Sequence, residues 1–214
     1  MAISFICLAI VLRTDRFYRL SLHQGIRYFR NAFLFYGVGF IVRYLFGVVS
    51  DLELDYAFFL KIAFEYLFVM AGFFLLYSLI WKKIESSKVE YSSSLFNGKI
   101  LVFHIMAVVI AVMDNLWQTY SFMFISEIFI FLFVSILAYI NFNNDKGKHR
   151  FPGFYFFITL IGLAGWVLNF LAESYLHWDH QVLIFVGIVD VIFFMFFLYG
   201  VRRVTKQKNG NQKT

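Results

Sequence analysis

Residues Tyr36–Leu45 read YGVGFIVRYL. The stretch lies inside a longer apolar run, Asn31–Val49, yet it carries Arg43 four residues from Gly39 on one side and Gly47 on the other. Residues four apart share a helix face, so this helix presents a small–Arg–small face in an otherwise oily surface. The pattern returns at Gly162–Leu171, GLAGWVLNFL, where Gly39 matches Gly165, Phe40 matches Trp166 and Arg43 matches Asn169.

The chain around these two helices is of the same character. Hydrophobic residues make up 61% of it, charged residues only 15%, and Phe alone accounts for 31 of the 214 positions. With a mean hydropathy of +0.74, this composition lies outside that of a soluble domain. Apolar runs long enough to span a bilayer occupy nearly the whole sequence, which reads as an all-α, polytopic integral membrane protein.

The net charge of +6 raises the question of nucleic acid, and its distribution answers it. Of the 19 Lys and Arg residues, 17 fall in alternate connections: Arg13–Arg30, Lys82–Lys99, Lys146–Arg150 and Arg202–Lys213. The other connections are acidic, with Asp51, Glu53 and Asp55 in one and Asp179 in another. Basic loops stay cytoplasmic, so the charge is a topology signal and no nucleic-acid partner is expected. The lone cysteine, Cys7, excludes an intramolecular disulfide, and a single proline, Pro152, leaves the helices straight. Met1–Leu12 lacks a basic leading region and a small-residue cleavage site, so it does not read as a signal peptide.

Seven spans follow: Met1–Leu12, Asn31–Val49, Tyr56–Trp81, Ile100–Trp117, Ser121–Phe142, Phe154–Tyr175 and Val182–Val201. The first is short, though its helix has room to continue past Arg13. Arg13–Arg30, where Arg alternates with Phe and Tyr, has the composition of a segment lying against anionic headgroups. Lys82–Lys99 is a serine-rich inner loop, Gln118–Tyr120 a tight outer turn, and Arg202–Thr214 a basic, disordered cytoplasmic tail. The N-terminus is then outside, the C-terminus inside, and the protein a multi-pass protein of the cell membrane.

Spans one and two align with five and six at an offset of 126, and span three with span seven at about 122. The transmembrane domain, residues 1–201, thus divides into repeat one (1–81), a linking helix (100–117) and repeat two (121–201), a three-plus-one-plus-three plan with parallel repeats. Opposite Glu127 in this register stands Met1, which leaves span one a turn or two shorter than its counterpart. In this plan and topology the chain resembles the transporter–opsin–receptor type of seven-helix membrane protein. The GxGF…RYL and GxxGWxLN patterns are also similar to the seven-helix sensory modules that precede histidine kinases in prokaryotes. The resemblance implies a ligand-responsive bundle, with departures. The seventh span has no lysine for a retinal Schiff base, so no cofactor is expected; Pro-Gln pairs are absent; and Arg202–Thr214 is too short for a kinase, so output falls to a separate cytoplasmic signalling protein.

Ionisable residues inside spans are costly and face the bundle interior or a wet cavity. Here they are Arg43, Lys61, Glu65, His104, Asp114, Glu127, Glu173 and Asp190. All but His104 fall in the outer half or near the middle. Together with Asn169 and Trp117 they form the candidate ligand-binding set. Arg43, Glu65, Asn169 and Asp190 are the deepest. His104, Ala107, Ala111, Asp114 and Gln118 form a small-and-polar stripe on span four, suited to close helix packing, and His104 reads as a hydrogen-bond partner between helices. Trp117 reads first as part of an aromatic belt.

The surplus of carboxylates points to a small polar or cationic ligand, while an Arg–Glu network that merely fixes helix register explains the same residues. Glu127, Glu173, Lys61 and Asp114 lie near enough to the interface to reach water. His177, Asp179 and His180 are a weaker surface-metal candidate. No HExxH, GxSxG or Gly-rich phosphate loop is present, so no enzyme is expected. The leading expectation is a receptor-like sensor; the alternative is a small-solute or proton-coupled transporter.

Overall fold

The computed structural model describes residues 1–21, 24–51, 56–84, 98–144, 150–176 and 180–211. Among the described residues there are seven helices: α1 (Ala2–Ser21), α2 (Gln24–Asp51), α3 (Ala57–Ile84), α4 (Gly98–Trp117), α5 (Ser121–Asn144), α6 (Arg150–Ser174) and α7 (His180–Asn211). In hydrocarbon a helix is the form that satisfies every backbone N–H and C=O within one segment. Six of the seven, α2 to α7, are long and apolar enough to cross a membrane. Apolar side chains such as Phe5, Ile105, Phe129, Phe133 and Ile188 cover the outside of the bundle, the inverse of a soluble surface. The chain is a helical membrane protein.

Each helix packs on the next in sequence, α7 closes onto α1, and α3 also packs on α5. Of the six apolar helices α2 to α7, α3 is the most enclosed and α4 the least. Aromatic rings fill the centre. Phe33, Tyr36 and Phe40 of α2 meet Phe68 of α3, Trp166 of α6 and Phe194 of α7, with centroid separations of 4.8 Å for Phe40–Phe68, 5.9 Å for Phe68–Trp166 and 5.5 Å for Phe40–Phe194. Edge-to-face pairs of this kind stabilise beyond their buried area by about 0.5–1.5 kcal/mol each.

The first helix does continue past Arg13, for which the sequence left room, so Arg13–Arg30 is not an element of its own. It is the second half of α1 and the start of α2, held together where Arg30 pairs with Asp15, Arg19 Nε donates to Asp15 at 3.0 Å, and the Arg30 guanidinium lies 5.8 Å from the Tyr18 ring centroid. The buried residues Ile3, Cys7, Ile10 and Thr14 recur along one face of α1, so the helix continues because its packing face does. Nor is the basic tail irregular from Arg202, for α7 runs to Asn211. Arg202, Arg203, Lys206, Gln207 and Lys208 are good helix formers, and no glycine or proline interrupts them before Gly210. The serine cluster of Lys82–Lys99 and the pair His177 and Asp179 lie outside the described residues.

Candidate functional site

The α4–α5 turn sets the level at which the polar groups meet. Gln118 has a left-handed φ of 53°. Its N–H donates to Asn115 O at 3.3 Å, and that of Thr119 to Asp114 O at 2.9 Å, the paired bonds of a Schellman helix end. The Asp114 side chain then reaches forward. It accepts from the backbone N–H of Phe122 (2.9 Å) and of Met123 (2.7 Å), and from the Thr119 hydroxyl (3.0 Å), so it caps the open N-terminus of α5. Asp114 is therefore a structural cap, although the sequence places it among ligand residues.

Next to this turn, Lys61 and Glu65 form a buried pair on α3 with Nζ 4.0 Å from Oε1, and neither Glu65 oxygen accepts a hydrogen bond. The Lys61 ammonium lies 4.4 Å from the centroid of the Tyr120 ring. Asp114 and Glu173 are the acidic groups within electrostatic reach of Glu65. Burial, reinforced by Glu65 and Glu173, pushes the Tyr120 hydroxyl up to about 12, so Tyr120 is a neutral donor at any physiological pH.

Deeper in the bundle, Glu127 is fully buried and does not reach water, which corrects the interfacial reading. The Tyr36 hydroxyl donates to its Oε2 at 3.2 Å, while Oε1 accepts no hydrogen bond. Gly72 makes the space: a Cβ there would lie 2.8 Å from both carboxylate oxygens. Trp117 points away from all of this, 58% exposed and packed on Phe122 at 5.6 Å. His104 behaves as expected, sharing a hydrogen bond of 2.7 Å with the Tyr66 hydroxyl between α4 and α3.

Arg43 stands between two cavities. One, of about 20 Å³, has room for about one water and is lined by Phe40, Arg43, Gly165, Trp166, Asn169 and Asp190, among others. Phe40 and Arg43 of α2 thus face a single space with Trp166 and Asn169 of α6, the residues they match in the sequence. Asn169 Nδ2 donates to Asp190 Oδ1 at 3.3 Å and to Gly165 O at 3.0 Å, and Asp190 lies within electrostatic reach of Arg43. The second cavity is larger, about 240 Å³, and runs from Arg43, Phe46 and Gly47 on α2 past Phe64 of α3 to Tyr120, Met123 and Phe124.

Of the residues expected to form a site, the structure thus brings Arg43, Asn169 and Asp190 to one cavity and Lys61, Glu65 and Glu173 to the adjoining charged cluster. It gives Asp114 and Glu127 partners elsewhere and leaves Trp117 outside. The aromatic lining from Phe46, Phe64, Tyr120 and Phe124 was missed by sequence reasoning, because in a chain this rich in Phe no single ring stands out. Among the described residues, no cluster of three or more His, Cys, Asp or Glu side chains is arranged to hold a metal. Comparison with protein-family models, curated proteins and solved structures yields no match.

Proposed function

We propose that the chain is a receptor-like sensor of the cell membrane. It binds a small ligand in the end of the bundle that faces outward and passes a helix displacement to a separate cytoplasmic partner. The observation that carries the reading is the placement of Arg43 between two cavities, with Asn169 and Asp190 across one of them. A charged group in a bundle interior is expensive unless it serves a site or a register, and space beside it favours the site. In the sequence the basic connections alternate with the acidic ones, so under the positive-inside rule we read the N-terminus and this site as outside and the C-terminus as inside.

The three-plus-one-plus-three plan has support in the packing. Exchanging α1, α2 and α3 for α5, α6 and α7 turns α1·α2 into α5·α6, α2·α3 into α6·α7, and α3·α5 into α7·α1, and every one of these pairs is packed. Helix α4 packs on α3 and α5 alone, as a helix linking two repeats would.

A transporter is the second reading, favoured by Glu65, a buried carboxylate whose oxygens accept no hydrogen bond and which suits a proton carrier. Against it, α2, α3, α6 and α7 run without a break, whereas carriers built from repeats bind at interrupted helices. Thermal unfolding of wild type, Arg43→Ala and Asn169→Ala with a ligand panel tests the site. A stabilising shift present in wild type and lost in both variants is the expected result. Variants that melt lower, beside a wild type that nothing stabilises, would make the charges structural. Flux in proteoliposomes that fails in Glu65→Gln would select the carrier.

A further inference from the structure

The larger cleft beside Arg43 is built in a way that narrows its occupant. Building on the ligand-site reading above, we infer that it takes an uncharged aromatic molecule of one or two rings. Size, lining and charge lead there.

An engineered apolar cavity of about 150 Å³ is known to hold benzene. The cleft, at about 240 Å³, has room for one ring with a short substituent or for two fused rings. Its side-chain wall beside Arg43 is made by Phe46, Phe64, Tyr120, Met123 and Phe124. The Phe46 and Phe64 rings are 5.6 Å apart and those of Phe64 and Tyr120 5.9 Å. Rings so arranged take a further aromatic ring in offset or edge-to-face contact, and a Met thioether suits the same partner. The Tyr120 hydroxyl, pushed up to about 12 by burial and by the acids near it, adds one uncharged polar group to the wall.

Charge argues against an ion of either sign. Arg43 and Glu173 are each engaged within the bundle. The Lys61 ammonium stands beside Glu65 and on the Tyr120 ring, and Asp114 is held by the α5 amides. The groups that act electrostatically on Tyr120 are of both signs, Glu65, Glu173 and Asp114 against Arg43. An anion beside Arg43 would also meet those acids, and a cation near the acids would meet Arg43 and Lys61. An ion leaves water at a high cost unless it gains a partner of its own, and here every such partner is in use or offset. An uncharged molecule is indifferent to that balance and keeps the contact with the rings.

The test is fluorine NMR of the full chain in nanodiscs with 4-fluorobenzyl alcohol, 4-fluorobenzoate or 4-fluorobenzylamine, three probes of one ring and different charge. The alcohol is expected to give a bound resonance distinct from probe dissolved in lipid and absent from empty nanodiscs. The two ions should bind at least about tenfold more weakly. The bound resonance should vanish in Gly47→Leu, which fills the cleft, since a Cβ at Gly47 meets nothing within 4 Å. It should weaken in Phe46→Ala, which removes one ring of the wall from a half-buried position. Midpoints of thermal unfolding without probe show that each variant is folded. Cyclohexylmethanol displacing the alcohol as well as benzyl alcohol does would overturn the aromatic occupant. Tighter binding of either ion, lost in Gly47→Leu, would overturn the uncharged ligand and leave the ligand-site reading standing. A bound resonance unchanged in both folded variants would place the probe elsewhere and overturn the inference. No bound resonance from any of the three would overturn the inference and the reading of this cleft as a site.

Discussion

The Tyr36 hydroxyl donates to the Glu127 carboxyl across 3.2 Å, joining α2 to α5 through the middle of the bundle. Both side chains are buried and the second Glu127 oxygen accepts nothing. Tyr36→Phe strips Glu127 of its hydrogen-bond donor and is expected to cost about 1–3 kcal/mol, the penalty for a buried polar group left unsatisfied. Glu127→Gln keeps the shape and an acceptor for Tyr36, and should cost less than about 1 kcal/mol. Denaturant titration of the purified protein in mixed micelles checks both. A Glu127→Gln loss as large as that of Tyr36→Phe would show that Glu127 is held as an anion.

Gly72 gives Glu127 its place. A Cβ there would stand 2.8 Å from both carboxylate oxygens, so Gly72→Ala forces the two helices apart or Glu127 out of its position. The expected loss is about 1–3 kcal/mol, as for other overpacked cores. Glu127→Ala removes the clash, and the double variant should recover much of it, a coupling that a double-mutant cycle measures. Gly47→Ala is the control. It meets nothing within 4 Å and should stabilise α2 by up to about 1 kcal/mol through helix propensity alone.

Lipid-facing and core-facing residues were largely legible along the chain, and for a definite reason. Period and hydropathy report which faces a helix must hide, so the α4 stripe of His104, Ala107, Ala111 and Asp114 was readable, and all four positions turn inward, His104 onto Tyr66. Gln118, assigned to the same stripe, is exposed because the helix ends at Trp117 and φ at Gln118 turns positive. What sequence position could not supply was reach. Asp114 caps α5 from within the preceding helix rather than from the N-cap position. Glu127 extends to Gly72 rather than toward the near interface. Hydropathy also left open how far α1 continues past Arg13, since it sums composition and does not see that Asp15 pairs with Arg30 across the helix hairpin.

Lys61 and Glu65 test whether the charged cluster serves stability. Both are buried on α3, with Nζ 4.0 Å from Oε1. Lys61→Met leaves Glu65 without its cation and should cost about 3–5 kcal/mol, the usual result of removing one member of a buried pair. The double replacement Lys61→Met with Glu65→Leu removes the desolvation cost of both and should return stability to near wild type. If the double variant is stable yet loses its response to ligands or its proton flux, the pair is functional. If it is stable and fully responsive, the pair serves only helix register.

The α4–α5 turn yields the sharpest backbone prediction. Gln118 holds φ at 53°, a region that L-residues enter at a cost of roughly 1–2 kcal/mol and β-branched residues almost never. Gln118→Val should therefore destabilise by more than about 1 kcal/mol, while Gln118→Asn, which tolerates that conformation, stays near neutral. Asp114→Ala removes the acceptor of the Phe122 and Met123 N–H groups and should cost about 0.5–2 kcal/mol, the range for lost N-caps. Because the turn also carries Tyr120 into the cleft, Asp114→Ala should weaken any ligand shift that depends on Arg43, although Asp114 is not among the residues lining that cleft. A ligand response in Asp114→Ala equal to that of wild type, measured by the same thermal unfolding, would uncouple the turn from the site and confine Asp114 to folding.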